Sequence, residues 1–322
     1  SRAYIVIGGA GFIGSNIVRA LNEKGLNNII IVDYLTDNGK WRNLVGLRFI
    51  SYYDRNDFLN ALKNESNTLF DKVDAIIHMG ACTKTTENDE NYLIYNNAIY
   101  SKLLFDYATN HNLRFIYASS AATYGDGSKG YNDSETNLTP LNCYGYSKYL
   151  FDQWVLGSVK KPPQWVGLKF FNVFGPNEYH KGQMASVVYH GYNQIKKDGE
   201  IRLFKSYRPE YKDGEQKRDF IYVKDAVKVV LFFLSKPDIN GIFNVGTGKA
   251  RTFLDLANAI FSALNLKPNI KFIEMPEDLK DRYQYFTEAD ISNLKSTGFN
   301  EEFTELEDAV KDYVLNYLAV RF

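Results

Sequence analysis

The sequence predicts an α/β protein built on a Rossmann-type doubly wound parallel sheet, joined to a smaller mixed α/β substrate-binding domain. Three observations predict it. Short apolar, β-rich runs alternate with helical patterns through the first half of the chain. A glycine-rich turn follows the first of those runs and opens the first helix. An acidic residue, Asp33, closes the second run 19 residues after Gly14.

The elements follow in order. Tyr4–Ile7 is the first predicted strand and Phe12–Lys24 the first helix, with the glycine turn between them. Strands are predicted at Asn28–Asp33, Leu47–Ser51, Ala75–His78 and Arg114–Ser119, and helices at Asp57–Asn64 and Asn91–Asn110. Trp165–Phe171 is expected to complete the sheet. Beyond it the rhythm loosens into Met184–Lys197, Ile201–Phe204, Val223–Leu234, Ile242–Val245, Phe253–Leu264, Ile270–Ile273 and Phe303–Leu318. The charged stretch Lys205–Lys217 lacks periodicity and reads as a mobile loop. Residues 1–172 are therefore expected to form a dinucleotide-binding domain, with about 219–246 returning to it. Residues 173–322 would make up most of the substrate-binding domain, leaving a cleft at the carboxyl edge of the sheet.

Composition narrows the partners. The 322 residues balance 38 basic against 38 acidic side chains, which gives no electrostatic case for nucleic acid or a membrane surface. No apolar run approaches the roughly 20 residues that span a bilayer. Two cysteines, Cys82 and Cys143, make no disulfide framework, and the opening stretch lacks the basic flank and apolar core of a signal peptide. A reducing, cytoplasmic compartment is the expectation. No metal is expected.

The stretch IVIGGAGFIGSNIVRAL places Gly8, Gly11 and Gly14 at three-residue intervals, and Gly9 also completes a G-x-G-x-x-G. Glycine lets the backbone turn tightly and approach a pyrophosphate seated on the amino end of the following helix. Asp33 suits an adenine ribose diol and would repel a 2′-phosphate. Lys40, Arg42 and Arg55 follow it and suit a 2′-phosphate if Asp33 points aside, or are solvated surface charges. On these grounds NAD and NADP both stay open.

The stretch NCYGYSKYL raises a chemical question. Tyr144 and Lys148 lie four residues apart on helix-compatible sequence and so share a face, where an ammonium would lower a phenol's pKa. A solvated helix face is the alternative.

Four motifs then coincide in order: GGAGFIG, HMGAC after the fourth strand, YASSAATYG after the fifth, and YGYSK. On these the chain resembles the extended short-chain dehydrogenase/reductase family over essentially its whole length. The resemblance implies a working set of Ser120, Tyr144 and Lys148, with Ser119 as the alternative serine. Ser120 would hydrogen-bond a carbinol or carbonyl oxygen, Tyr144 would move its proton, and Lys148 would lower the tyrosine's pKa and hold the nicotinamide ribose. Where many relatives carry Thr before the first glycine this chain has Ile7, which removes a turn-stabilising hydroxyl but no phosphate ligand.

The continuation NEYHKGQMAS, with GACTKTTENDENYLIYNN, KRDFIYVKD and DRYQYFTEADISNL, is similar to the branch of that family that epimerises C6 of an ADP-heptose. That resemblance makes Lys181 a second base, with a phosphate clamp as its alternative. It implies an ADP-heptose substrate, NADP, and a homo-oligomer, a pentamer among the candidates. It places the cofactor on Gly8, Gly11, Phe12, Ile13, Gly14, Asp33, Tyr34, Lys40, Arg55, Met79, Gly80, Ala81, Cys82, Thr83, Asn96, Tyr144, Lys148, Val173 and Lys181. It places the substrate on Ser120, Asn172, Gln183, His190, Phe204, Lys205, Ser206, Tyr207, Arg218 and Tyr283. Arg218 suits a pyrophosphate, or pairs with neighbouring Asp219 on the surface; His190 is a ligand or a satisfied core histidine; His78 and His111 read as structural. Tyr34, Gln183 and the length of the Lys205–Lys217 loop depart from the branch.

Three rivals remain. A 4,6-dehydratase needs an acid and a base after the catalytic serine, where this chain has Ala121 and Ala122. A 4-epimerase would leave Lys181 unexplained, and a cofactor-sensing regulator would have no use for the proton-transfer groups.

Overall fold

The structure, a computed structural model, describes residues 2–64, 68–80 and 89–321. Its first half alternates β1 (Ala3–Ile7), α1 (Phe12–Glu23), β2 (Ile29–Asp33), β3 (Ser51–Asp54), α2 (Arg55–Lys63), β4 (Val73–His78), α3 (Glu90–Ile94), α4 (Tyr100–Asn110), β5 (Arg114–Ser120), α5 (Cys143–Gly157) and β6 (Trp165–Phe170). A π-helical turn, Tyr95–Ile99, joins α3 to α4 without a break. The second half runs β7 (Asn172–Phe174), α6 (Val187–Asp198), β8 (Ile201–Phe204), β9 (Lys217–Arg218), β10 (Phe220–Tyr222), α7 (Val223–Leu234), β11 (Gly241–Val245), β12 (Arg251–Thr252) and α8 (Phe253–Ala263). It ends with β13 (Ile270–Ile273), α9 (Glu277–Lys280), α10 (Ser292–Ser296) and α11 (Leu306–Tyr313).

Among the described residues seven strands make one parallel sheet in the order β3-β2-β1-β4-β5-β6-β11. The central strands are apolar on both faces, because helices cover both. Ile5, Ile30 and Ile76 meet Phe58, Leu104 and Phe151 on one side, while Val6, Ile31 and Ile77 meet Ile17, Val18 and Leu21 on the other. The chain reverses direction about β1, whose neighbours are β2 and β4, and a crevice opens there at the carboxyl ends. The smaller sheets β7–β10, β8–β13 and β9–β12 carry the second half over that edge.

Two expectations need correction. The third strand is Ser51–Asp54, not Leu47–Ser51, since Ile30 pairs with Ser51 and Asp33 with Asp54. An edge strand is paired on one side alone, so its apolar flank at Leu47–Ile50 gives a misleading start. The Lys205–Lys217 stretch is a loop but a tethered one. Ser206 N–H donates to Asp213 (2.8 Å), Tyr207 N–H to the Tyr285 hydroxyl (3.0 Å) and Leu254 N–H to Gly214 O (3.0 Å). Its charges told of solvent on one side and concealed the backbone bonds on the other.

No helix among the described residues is long and apolar enough to cross a membrane.

Candidate active site

The glycine turn is built for close approach. Gly8 has φ 78°, and a Cβ there would sit 2.7 Å from Gly80 N, across the crevice between β1 and β4. A Cβ on Gly14 would fall 2.0 Å from Gly8 O. No side chain caps the amino end of α1, so its backbone N–H groups face a space that suits a phosphate. This cradle fits a dinucleotide. A cavity of about 390 Å³ runs along it, lined by Gly8, Gly11, Phe12, Ile13, Gly14, Asp33, Tyr34, Lys40, Arg55, Met79, Gly80, Asn96 and Lys181. Ala81, Cys82 and Thr83 lie outside the described residues.

Asp33 does not point aside. Its carboxylate accepts from Ala10 N–H (2.9 Å) in the glycine turn and from Lys40 Nζ (2.6 Å), and both side chains are largely buried. Lys40 thus neutralises the acid that would repel a 2′-phosphate. Arg55 donates to Asn96 of the π-helical turn and lies 5.6 Å from the Tyr34 ring, so neither cation is an idle surface charge. Arg42 instead rests 5.1 Å from the Trp41 ring and is absent from the cavity lining.

The two serines at the end of β5 part company. Ser119 is buried and gives its hydroxyl to Asp152 (2.6 Å), beneath the sheet edge. Ser120 instead accepts from Ala122 N–H (3.0 Å) and opens a 3-10 turn that packs on α5. The approach is close: a Cβ on Gly145 would lie 2.7 Å from Ala122 O, which sets Ser120's turn against the residue after Tyr144. Asn142 caps α5 by accepting from Gly145 N–H (2.8 Å). Lys148, nearly buried, donates to Ala118 O (3.0 Å). Ser120, Tyr144 and Lys148 therefore share one end of β5 and the first turns of α5, beside rather than within the linings of the two cavities described here.

Lys181 sits on a short 3-10 turn, Tyr179–Met184, that is docked onto the glycine turn by asparagines. Asn16 Nδ2 donates to Pro176 O (2.9 Å), Asn177 Nδ2 to Ser15 Oγ (3.0 Å), and Asn43 Nδ2 to both Ala10 O (2.9 Å) and Asn177 O (3.2 Å). Buried Glu178 anchors the loop from below through Gly175 N–H, Ser186 N–H and hydroxyl, and the Tyr313 hydroxyl. The outcome is a lysine whose Nζ stands 5.3 Å from the Phe12 ring and which lines both cavities. Burial lowers its pKa below the ordinary lysine value, opposed in part by the Glu178 carboxylate. His180 beside it is pushed down to about 4 by burial and by Lys40 and Lys181, so it is neutral near pH 7.

The second cavity, about 600 Å³, opens between α6, β8 and β9 and is lined by Asn172, Val173, Gln183, His190, Phe204, Arg218 and Tyr283. Arg218 is 7 % exposed, its guanidinium 4.9 Å from the Tyr283 ring and 5.4 Å from Phe253. Among the described residues no carboxylate lies within ion-pairing distance of it, so the Asp219 surface bridge does not form. Asp219 instead turns inward to Thr247, Gly248 and Ala289 N–H groups.

The profile of the NAD dependent epimerase/dehydratase family matches residues 4–246. The chain belongs to this family. A member from Fusobacterium nucleatum, ADP-L-glycero-D-manno-heptose-6-epimerase, is 51% identical over 326 residues and 98% of each chain. Among solved structures, the Helicobacter pylori enzyme of the same name superposes with TM-score 0.83 at 27% identity, covering 99% of this chain and 97% of its own. A UDP-N-acetylglucosamine 4-epimerase from Methanobrevibacter ruminantium, in complex with UDP-N-acetylmuramic acid, also reaches 0.83 at 26% identity, covering 100% and 99%. Backbone shape therefore does not select the sugar within this epimerase/dehydratase family.

Within the family frame some residues fall elsewhere than expected. Lys205 pairs with Glu274 (3.0 Å), the Tyr207 hydroxyl joins the same carboxylate, and Ser206 donates to Arg208 O (3.0 Å); none of the three lines the second cavity. Val173 lines the second cavity and not the first. His78 is buried, bonded to Ser101 (2.8 Å) and pushed down to about 3, chiefly by burial. His111 stacks on Tyr107 at the surface. Sequence reasoning passed over Glu178, Asn43 and Gln216. For Glu178 a signal existed: an acid three residues before Lys181 in a loop otherwise without carboxylates.

Proposed function

We propose that the protein epimerises C6 of the heptose in ADP-D-glycero-D-manno-heptose to give ADP-L-glycero-D-manno-heptose, a precursor for the lipopolysaccharide inner core, through a transient 6-keto sugar. The observation that carries the reading is Lys181, one amine lining both the dinucleotide cradle and the second cavity, with its proton affinity lowered by burial. Oxidising a carbinol needs one base, whereas inverting it calls for proton transfer on both faces. Lys181 supplies the second group beside Tyr144. The sugar follows the name that the 51% identical relative carries.

A nicotinamide cofactor, when bound, supplies the reversible acceptor for the C6 hydrogen. Tyr144 and Lys181 exchange the hydroxyl proton on opposite faces, and Ser120 donates to the carbinol oxygen. Lys148, tethered to Ala118 O, holds the nicotinamide ribose and the tyrosine's pKa. Arg218, buried and without a carboxylate, takes the substrate pyrophosphate.

Within this reading the cofactor is NADP, supported by Lys40 on Asp33 and by Arg55 at the cavity wall. Lys40→Ala removes a phosphate partner and unmasks Asp33. It is expected to weaken NADP by about 10-fold or more while NAD changes little. Equilibrium binding of each to the stripped protein decides it; equal losses would return Lys40 to a structural role. The reading includes a homo-oligomer, which an exposed apolar row of Tyr95, Ile99 and Leu103 supports and light scattering would count.

The deciding experiment incubates purified protein, without added cofactor, with ADP-D-glycero-D-manno-heptose and resolves the C6 epimers by chromatography. Conversion to a mixture supports the reading. No conversion, with UDP-galactose and UDP-glucose interconverting instead, would move the protein to a 4-epimerase.

A further inference from the structure

Gln216 stands immediately before β9, is 1 % exposed and lines the second cavity. Its Nε2 donates to the carbonyl oxygens of Phe204 (3.4 Å) and Lys205 (3.3 Å) at the end of β8. Both neighbours are acceptors, so the amide nitrogen must face them and Oε1 must face away. That Oε1 is buried and has no hydrogen-bond partner among the described residues. A buried acceptor left unpaired forfeits its hydration, and a cavity wall is where an arriving donor can restore the loss.

The position along the chain says which part of a ligand reaches it. Residues 216 and 218 are two apart in extended backbone, so their side chains share a face about 7 Å apart along the strand. Further on, Asp219 O accepts from Asn172 N–H (3.1 Å), which ties that end of the segment to the sheet edge. Gln216 thus lies about 10 Å back from that edge, with Arg218 between. The lining of the same cavity includes the apolar side chains of Leu203, Phe204, Phe253, Leu256 and Ile273. A flat base and its ribose suit such walls better than a polyhydroxylated sugar does.

We infer that Gln216 is a specificity residue that accepts a hydrogen bond from the nucleoside half of the substrate. The inference rests on the nucleotide-sugar reading above, with Arg218 on the pyrophosphate. The pyrophosphate carries acceptors alone, so the donor is either a ribose hydroxyl or the 6-amino group of adenine. Nε2 is already committed to Phe204 and Lys205, so the side chain presents an acceptor alone and favours ligands that bring a donor.

Calorimetric titration of the holoprotein with ADP, 2′-deoxy-ADP, 3′-deoxy-ADP and purine riboside 5′-diphosphate, which lacks the 6-amino group, tests it. One of the three analogues is expected to bind about 10-fold more weakly than ADP. In Gln216→Met that penalty should shrink to less than about 2-fold. The identity of the penalised analogue tells ribose from base. An unpenalised series in the wild type overturns the inference whether or not a variant folds, as does a penalty that Gln216→Met leaves intact. Failure of ADP itself to bind would instead overturn the nucleotide-sugar reading and this inference with it.

Discussion

Lys181→Met should lower the rate of epimerisation by about 10²–10⁴-fold, the usual cost of losing a positioned proton-transfer group, while the cofactor stays bound. Methionine keeps the unbranched stem over the Phe12 ring and removes the amine. The pH profile carries a further sign. Burial favours the neutral amine, so the base form of Lys181 is populated at lower pH than an ordinary lysine allows, and activity should rise through that lowered pKa. The Met variant should lose this limb. His180 cannot stand in for it, since its pKa of about 4 leaves it neutral on both sides of the limb. Rate against pH, with cofactor content read by absorbance after denaturation, checks the prediction. Epimerisation within tenfold of wild type, or loss of bound cofactor, would make Lys181 a binding residue.

Glu178→Ala is expected to destabilise the protein by about 3–5 kcal/mol and to displace Lys181. The carboxylate accepts from Gly175 N–H, Ser186 N–H, Ser186 Oγ and Tyr313 Oη, and alanine would leave those donors buried without it. Burial raises the Glu178 pKa while these bonds pull it down. Tyr313→Phe removes one donor of the set and should cost about 1 kcal/mol. Urea midpoints of the two variants measure the difference. Glu178→Ala melting with the wild type, or active at its rate, would show that the loop holds its lysine without the latch.

Some of this was legible because the constraint is local. The glycine turn must have no Cβ at Gly8 and Gly14, and three-residue spacing after an apolar run states as much. Tyr144 and Lys148 share a face because helical periodicity puts them there. The parallel order of strands is likewise written in alternation of short apolar runs with helices.

Other parts depend on partners far along the chain, which no local pattern carries. Glu178 was passed over because a partner that fixes it in the core, Tyr313, lies 135 residues later. Lys40 and Arg55 read equally as surface charge or phosphate clamp, and the contacts that hold them against Asp33 and Asn96 exist in the folded chain alone. Lys205–Lys217 looked mobile because its charges are local, while its backbone partners, Tyr285 and Leu254, are not. By itself, then, the sequence determined the strand-and-helix order, the dinucleotide cradle and the Tyr144–Lys148 pair. Tertiary structure decided which buried polar groups find partners and which, as with Gln216 Oε1, are left facing a cavity, because that balance is struck between segments that burial brings together.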